Sequence, residues 1–178
     1  MSRAPRPTAP GIYHCGTKAP TGLPFFHDAE SYYVFMAALS RTILFEHLTL
    51  MAFCLMTTHY HLLFEAPEGA LSRAMKRLNW EYARAANTRL GGRGHVVGGR
   101  YFSVPVSDTD HLLSEFRYIA RNPVEAGLCK APQDWAWSSY AGTVGLEPEF
   151  RFIDATLIVE SVGGVAGLRT LVEGVSDT

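Results

Sequence analysis

The stretch Thr57-Thr58-His59-Tyr60-His61-Leu62-Leu63-Phe64 has the alternation of side chains that predicts a β-strand. In a strand, His59 and His61 lie side by side on one face, and Tyr60 between them points into the core. Two imidazoles on such a stiff support can hold one divalent metal ion. A pair of structural histidines explains the same spacing, so the metal site needs support from other parts of the chain.

A second stretch, Phe116-Arg117-Tyr118-Ile119-Ala120-Arg121-Asn122-Pro123, predicts the end of a helix. Ser107 or Asp108 can cap this helix at its start, and Pro123 should end it at Asn122. Tyr118 lies roughly 150° from the middle of the apolar stripe, on the side where Asn122 follows one turn later. We therefore expect an exposed tyrosine that meets the histidine strand. The apolar stripe consists of Leu112, Leu113, Phe116, Ile119 and Ala120.

Length and composition are those of one globular domain, with 178 residues, of which 47% are hydrophobic and 19% charged. Three distant cysteines, Cys15, Cys54 and Cys129, form neither a zinc knuckle nor a disulfide framework, and they fit a reducing compartment. The sequence shows no apolar run long enough to span a membrane and no secretory signal. We therefore expect a cytoplasmic protein.

The net charge of −1 argues against a general nucleic-acid-binding protein, but the charge is unevenly distributed. Residues 1–130 carry a balance of +4, and residues 131–178 carry −5. The densest basic stretch, residues 69–105, carries +6. A local patch of this kind can face phosphates, although a solvated helix face has the same composition.

Part of this basic stretch is predicted to be a helix from about Ala70 to Leu90. Its buried stripe would be Leu71, Met75, Leu78, Tyr82 and Ala86. A basic stripe with a tryptophan follows the opposite side, as on surfaces that track a nucleic-acid backbone and stack on its bases. Exposed arginines around a partly buried tryptophan are the alternative. The candidate DNA contacts are Arg73, Arg77, Trp80, Arg84 and, beyond the helix, Arg100.

The remaining segments give a coarse order of elements. Asp28 can cap a helix that runs through about Leu39. The glycine-rich segment 91–99 reads as a loop and does not match a phosphate-binding loop. The tail 1–10 is predicted to be disordered and basic. Strands are predicted at 11–15, at 47–56 in a hairpin with the histidine strand, and at 100–106, and a weak helix is predicted at 155–173.

His59-Tyr60-His61, followed by Tyr118 and Asn122-Pro123, resembles the single-tyrosine HUH transposases, and more narrowly the REP-associated tyrosine transposases of bacteria. The resemblance covers about residues 11–140. Two positions depart from the family pattern, because Thr58 stands where an asparagine is usual and Ala120 where a histidine is frequent. Further matching segments are Tyr13-His14, Phe26-His27-Asp28, Ala52-Phe53-Cys54-Leu55-Met56, Gly99-Arg100-Tyr101, Arg117-Tyr118-Ile119, Asn122-Pro123-Val124, Ala126-Gly127-Leu128 and Trp137-Ser138-Ser139.

The resemblance implies an α+β fold of HUH endonuclease type, a ferredoxin-like antiparallel sheet with helices packed on it. It implies that His59, His61 and Asn122 bind Mg²⁺ or Mn²⁺. It also implies that Tyr118 attacks single-stranded DNA beside a hairpin and forms a 5′-phosphotyrosine bond. The transposase domain would span residues 11–140, with 141–178 as an extension packed on it, and we expect a monomer, with a homodimer as the alternative.

Three other functions fit parts of the pattern. A catalytically inactive relative would only bind DNA or RNA hairpins. A zinc hydrolase would use His59, His61 and a third histidine, His111 or His14. A structural ferredoxin-like module would bury Tyr118 against the sheet.

Overall fold

The computed structural model describes residues 7–89, 91–92, 96–146 and 150–174. Four strands and three long helices occupy the chain up to residue 125, and short helices follow. The strands are β1 (Gly11–Lys18), β2 (Thr49–Leu55), β3 (His59–Ala66) and β4 (Phe102–Pro105). The helices are α1 (Ala29–Glu46), α2 (Ala70–Arg89), α3 (Thr109–Glu125), α4 (Tyr140–Thr143), α5 (Thr156–Ser161) and α6 (Val165–Glu173), with a 3₁₀ turn at Pro132–Asp134.

Within the described residues, the strands form one sheet in the order β2-β3-β1-β4, and every neighbouring pair is antiparallel. The chain order β1-α1-β2-β3-α2-β4 with this strand order is the ferredoxin-like α+β arrangement. The predicted fold class is therefore confirmed. The hairpin of β2 and β3 is also present, with an irregularity in its pairing between Leu50 and Ala52.

The alternation in β3 sends its residues to two different layers. Tyr60, Leu62 and Phe64 are buried against α1 and α2, and we call this side of the sheet the α1/α2 face. His59 and His61 lie on the opposite side, the histidine face, where Leu63 packs with residues of α3. The two-residue period of a strand therefore separates the core-building residues from the histidines, as predicted.

Helix α1 begins as predicted but ends later. Asp28 forms a capping box, because its side chain accepts from the Ser31 N–H over 2.8 Å while the Ser31 hydroxyl accepts from the Asp28 N–H over 3.2 Å. The predicted end at Leu39 is wrong, since no glycine or proline interrupts the next turns. The helix stops at Glu46, where His47 adopts a left-handed conformation with φ 52°.

Helix α2 lies beside α1, and its predicted apolar stripe, Leu71 to Ala86, is buried. Its described end is Arg89, and the predicted last residue, Leu90, lies outside the described residues. Residues 93–95 of the predicted loop 91–99 also lie outside them. Helical spacing therefore located this element correctly over its described length.

Helix α3 packs on the histidine face through Leu112, Phe116 and Ile119. The expected end at Asn122 is wrong, because the helix continues through Pro123 to Glu125. Proline lacks an N–H and crowds the turn before it, and only two helical residues follow it, so the disruption lies within the last two turns of the helix. The helix is followed by a Schellman motif, in which Gly127 has φ 70° and the N–H groups of Gly127 and Leu128 donate to the carbonyls of Val124 and Pro123.

Other boundaries shift by a few residues. The strand predicted at 47–56 is Thr49–Leu55, the one at 100–106 is Phe102–Pro105, and the one at 11–15 extends to Lys18. The predicted helix at 155–173 is divided into α5 and α6 by Gly163 and Gly164, both with positive φ. Leu168 and Val172 of α6 are buried against α3. In the described part of the predicted tail, the Thr8 carbonyl accepts from the Gly69 N–H.

Candidate active site

Strand register assembles the residues of the histidine face. Lys18 of β1 lies opposite His59 of β3, and Gly16 lies opposite His61. On its other side Gly16 lies opposite Phe102 of β4. Three strands therefore place a cation, two imidazoles and an aromatic ring next to one another on the same face.

Gly16 is the residue that makes room at this place. A Cβ atom there would collide with the carbonyl oxygen of Tyr60 and lie 2.8 Å from the Phe102 ring. Without it, the Phe102 ring centroid reaches 5.2 Å from that of His14 and 5.9 Å from that of His61. The glycine thus allows β1, β3 and the Phe102 ring to pack closely beneath the histidines.

Tyr118 of α3 lies over this group. Its ring centroid is 5.4 Å from that of His61 and 5.8 Å from that of His14. Tyr118 is 45% exposed to solvent. A structural ferredoxin-like module would bury Tyr118 against the sheet, and the exposure of Tyr118 does not match that alternative. The structure brings the tyrosine and the histidine strand together, as the helical spacing predicted.

His59 stands at the open end of the histidine pair. Its ring centroid is 4.9 Å from that of His61, and the Thr58 hydroxyl oxygen is 3.1 Å from its Nδ1. Burial lowers the pKa of His59, the Lys18 charge lowers it further, and a side-chain hydrogen bond with Asn122 opposes both effects. Asn122 therefore lies next to one of the two imidazoles with which the resemblance groups it.

His61 is buried, with only 4% of its surface exposed. Burial lowers the pKa of His61 to about 3, and the nearby His14, His59 and Lys18 lower it in the same direction. Its Nε2 atom is buried and has no hydrogen-bond partner among the residues that the structure describes. A neutral imidazole with an unpaired buried nitrogen fits a divalent metal ion at this position.

Two polar residues behind His61 were not predicted as part of this site in their present roles. His14 Nε2 is 2.9 Å from His61 Nδ1, and His14 Nδ1 is 2.5 Å from the Glu115 carboxylate. The sequence suggests His14 as a third zinc ligand and as part of a segment that resembles the family, and it suggests no role for Glu115. Its position on α3, one turn after His111 and three residues before Tyr118, was the available signal.

The residues around Tyr118 line a cleft of about 480 Å³, here called the site cleft. A larger groove of about 1010 Å³, the edge groove, runs along β4 and includes Arg100. Lys18 and Phe102 line both. The lining of the site cleft is His14, Lys18, His61, Phe102, Val104, Ser114, Glu115 and Tyr118.

The other candidate DNA contacts lie elsewhere. Arg73, Arg77, Trp80 and Arg84 occupy the outer side of α2, and α2 covers the α1/α2 face of the sheet. We call these four residues the arginine face. Since the histidines lie on the opposite face, the structure does not bring the arginine face to Tyr118.

Acidic partners also reduce the charge of the arginine face. Arg73 Nε is 2.8 Å from the Glu46 carboxylate, and Arg77 Nη1 is 3.3 Å from that of Glu81. The Arg84 guanidinium lies 5.4 Å from the centroid of the exposed Trp80 ring. Glu46 comes from α1, so a count of charges along residues 69–105 could not include it.

The zinc hydrolase required three histidines around one ion. Across residues 7–89, 91–92, 96–146 and 150–174, no three His, Cys, Asp or Glu side chains converge in this way. His111 instead contacts Glu115 and Ser107, and His14 contacts His61 through a ring nitrogen. The geometry therefore does not form the three-histidine zinc site.

The profile of the family described as "Transposase IS200 like" matches residues 28–122, which is more than half of the 178 residues. The chain belongs to the IS200-like transposase family. Membership indicates a transposase function and a DNA-cleaving enzyme. The matched region contains the histidine strand and ends at Asn122, so it includes the residues gathered around Tyr118.

Among solved structures, a REP-associated tyrosine transposase bound to a REP hairpin has a TM-score of 0.71 at 20% identity, covering 88% of this chain and 94% of that one. At this identity the similarity shows a shared fold. A candidate transposase from Deinococcus radiodurans R1 has a TM-score of only 0.47 at 18% identity, over 71% of this chain and 97% of that one. No curated protein matches the chain.

No helix of the described residues is both long and apolar enough to cross a bilayer.

Proposed function

We propose that this IS200-like transposase nicks and rejoins single-stranded DNA beside REP-like hairpins through a 5′-phosphotyrosine intermediate on Tyr118. The observation that supports it best is the half-exposed Tyr118 ring, whose centroid is 5.4 Å from that of His61. A nucleophile and a metal-binding pair at this separation can act on the same phosphate. The hairpin is proposed from the similar fold of the REP-associated transposase, which was solved with a REP hairpin.

His59, His61 and the Asn122 side chain would hold Mg²⁺ or Mn²⁺. The support is the unpaired, buried Nε2 of His61, together with Asn122 beside His59. A divalent ion held there would polarise the scissile phosphate and offset the charge that develops on it. Oxygen from Asn122 and from the phosphate suits either ion.

Tyr118 carries out the covalent step. Its hydroxyl oxygen forms a bond to phosphorus and loses its proton, the bond from phosphorus to the 3′ oxygen breaks, and that oxygen gains a proton. The products are a 5′-phosphotyrosine and a free 3′ hydroxyl, so the phosphodiester energy is conserved for rejoining. A cation held beside the phenol would stabilise the negative charge that develops on the attacking oxygen.

The edge groove is the proposed path of the DNA strand into the site cleft. It carries Arg100 and Lys18 as cations and Phe102 as an aromatic surface, the combination that single-strand sites use. The arginine face, with Arg73, Arg77, Trp80 and Arg84, remains a proposed contact for the hairpin duplex. Because the arginine face lies across the sheet from Tyr118, it would not contact the part of the DNA strand that enters the site cleft.

The decisive variant is Tyr118→Phe. With a single-stranded DNA hairpin and Mn²⁺, the wild-type protein should form a covalent adduct that survives denaturing electrophoresis. Tyr118→Phe should form none, because only the attacking oxygen is removed, while hairpin binding should stay within about twofold.

Tyr33→Phe is the matched control. Tyr33 is 66% exposed on α1, so its loss should leave adduct formation unchanged. Equal adduct yield from Tyr118→Phe would reject the nucleophile. Hairpin binding by the wild-type protein without any cleavage would favour the catalytically inactive hairpin-binding relative instead.

A further inference from the structure

Beside the site cleft, hydrogen bonds connect His111, Glu115, His14 and His61 in a row. The backbone N–H of Ser107 determines which atom donates at the start of this row. The N–H of Ser107 lies 3.2 Å from Nδ1 of His111 and can only donate. Because Nδ1 accepts, a neutral His111 carries its proton on Nε2. That Nε2 is 3.1 Å from one carboxylate oxygen of Glu115, to which it therefore donates.

The same reasoning continues from Glu115 into the core. Its second oxygen lies 2.5 Å from Nδ1 of His14, and an ionised carboxylate only accepts, so Nδ1 of His14 carries a proton. Nε2 of His14 is then an acceptor. It lies 2.9 Å from Nδ1 of His61, so the His61 N–H donates to it.

The result for His61 is a defined tautomer. With its proton on Nδ1, the lone pair of His61 lies on Nε2, the atom that is buried and unpartnered among the described residues. Without Glu115 and His14, either ring nitrogen of a neutral histidine can carry the proton. The chain thus selects the form of His61 that can bind a metal ion through Nε2.

We propose that Glu115 and His14 are positioning residues that fix the tautomer and ring orientation of His61 for the metal site. This rests on the proposed function, because it assigns a purpose to the free Nε2. His14 is only 4% exposed and acts through His61. A carboxylate that orients a metal-binding histidine is a recurrent arrangement, and here a second imidazole lies between the two.

The first experiment uses the metal-free protein labelled with ¹⁵N-histidine. Two-bond ¹H–¹⁵N spectra should show His61 protonated at Nδ1 in the wild type. His14→Leu removes the acceptor and should give a mixture of His61 tautomers. His14→Gln retains an amide oxygen that can accept, and it should restore the wild-type pattern.

The second experiment measures Mn²⁺ affinity by titration calorimetry. His14→Leu should lower the affinity by about tenfold or more, and His14→Gln should recover most of it. Glu115→Gln should lower the affinity by a smaller factor than His14→Leu, because the amide keeps one of the two accepting oxygens. His27→Leu, at an exposed histidine, should have no effect and serves as the matched control.

The outcomes separate this inference from the proposed function. If His14→Leu and Glu115→Gln leave both the His61 tautomer and the Mn²⁺ affinity unchanged, the positioning role is refuted while the phosphotyrosine proposal stands. If the wild type binds no Mn²⁺, the metal site is refuted, and the spectra of the metal-free protein still decide the tautomer. Because Glu115 lies partly exposed on α3, its variant remains informative if a His14 variant does not fold.

Discussion

Lys18 is a cation at the meeting point of the site cleft and the edge groove. It lies opposite His59 in the sheet and lines the same cleft as Tyr118. Burial lowers the pKa of both His59 and His61, and the Lys18 charge lowers both in the same direction. The same charge would favour a phosphate or a phenolate in the cleft.

Lys18→Gln should slow adduct formation by about tenfold, because the charge beside the reacting groups is lost while the amide can still hydrogen-bond. Time courses on denaturing gels measure this rate. Lys130→Gln, at an exposed lysine beyond α3, is the control and should react like the wild type. An unchanged rate in Lys18→Gln would show that this ammonium group takes no part.

At the residue scale, the sequence identified the side chains whose role depends on local spacing. His59 and His61 follow from a two-residue period, and Tyr118 with Asn122 from a helical turn. Helical spacing places Glu115 on the Tyr118 side of α3, but the contacts of Lys18, His14 and Glu115 depend on the register of β1 on β3 and on the packing of α3. Such contacts depend on partners more than 40 residues away, as between His14 and His61.

At the element scale, the packing of β1 against β3 and β4 depends on Gly16. Gly16→Ala should reduce the free energy of unfolding by about 1–3 kcal/mol, since the added Cβ meets the backbone of Tyr60 and the Phe102 ring. Urea denaturation measures the change. Ser103→Ala on β4, beside the same strand, should cost less than about 0.5 kcal/mol.

If Gly16→Ala is as stable as the wild type, close packing beneath the histidines is not required. If it is destabilised but forms the adduct at an unchanged rate, the Phe102 ring has no role in placing the site residues. The expected result is that both stability and adduct rate fall, because Phe102 contacts both His14 and His61.

Local sequence signals predicted where the helices lie better than they predicted where the helices end. Pro123 predicted that α3 ends at Asn122, but the helix continues through the proline to Glu125. Gly127, one turn after Pro123, is the stronger stop signal. The prediction also ended α1 too early. That helix stops only at His47, which adopts a left-handed conformation. Periodicity predicted the buried faces of α2 and α3, and the Asp28 cap predicted the start of α1. Competition between stop signals decided where α1 and α3 end.

At the scale of the whole molecule, cations lie on both sides of the sheet. Lys18 and Arg100 line the edge groove, and the arginine face lies across the α1/α2 face. Sequence order placed Arg73 and Arg100 in one basic stretch, and the fold separates them. The pairing of Arg73 with Glu46 also depends on the fold, because α1 and α2 are adjacent only in space.

Reversal of charge at Lys18 and Arg100 should weaken binding to single-stranded hairpin DNA and reduce the salt slope of log K by about 2, one for each lost phosphate contact. Reversal at Arg73 and Arg84 should reduce it by less, since Arg73 is already paired. Fluorescence anisotropy over a series of salt concentrations measures both. A larger loss from the arginine-face pair would place the main DNA contact on the α1/α2 side.

The most direct measurement of the central claim is peptide mapping of the covalent adduct by mass spectrometry. After reaction with single-stranded hairpin DNA and Mn²⁺, followed by nuclease and protease digestion, the nucleotide mass should be found on Tyr118 and should disappear when the metal is chelated. A nucleotide attached to another residue, or DNA cleaved in the presence of metal without any attached peptide, would contradict the account.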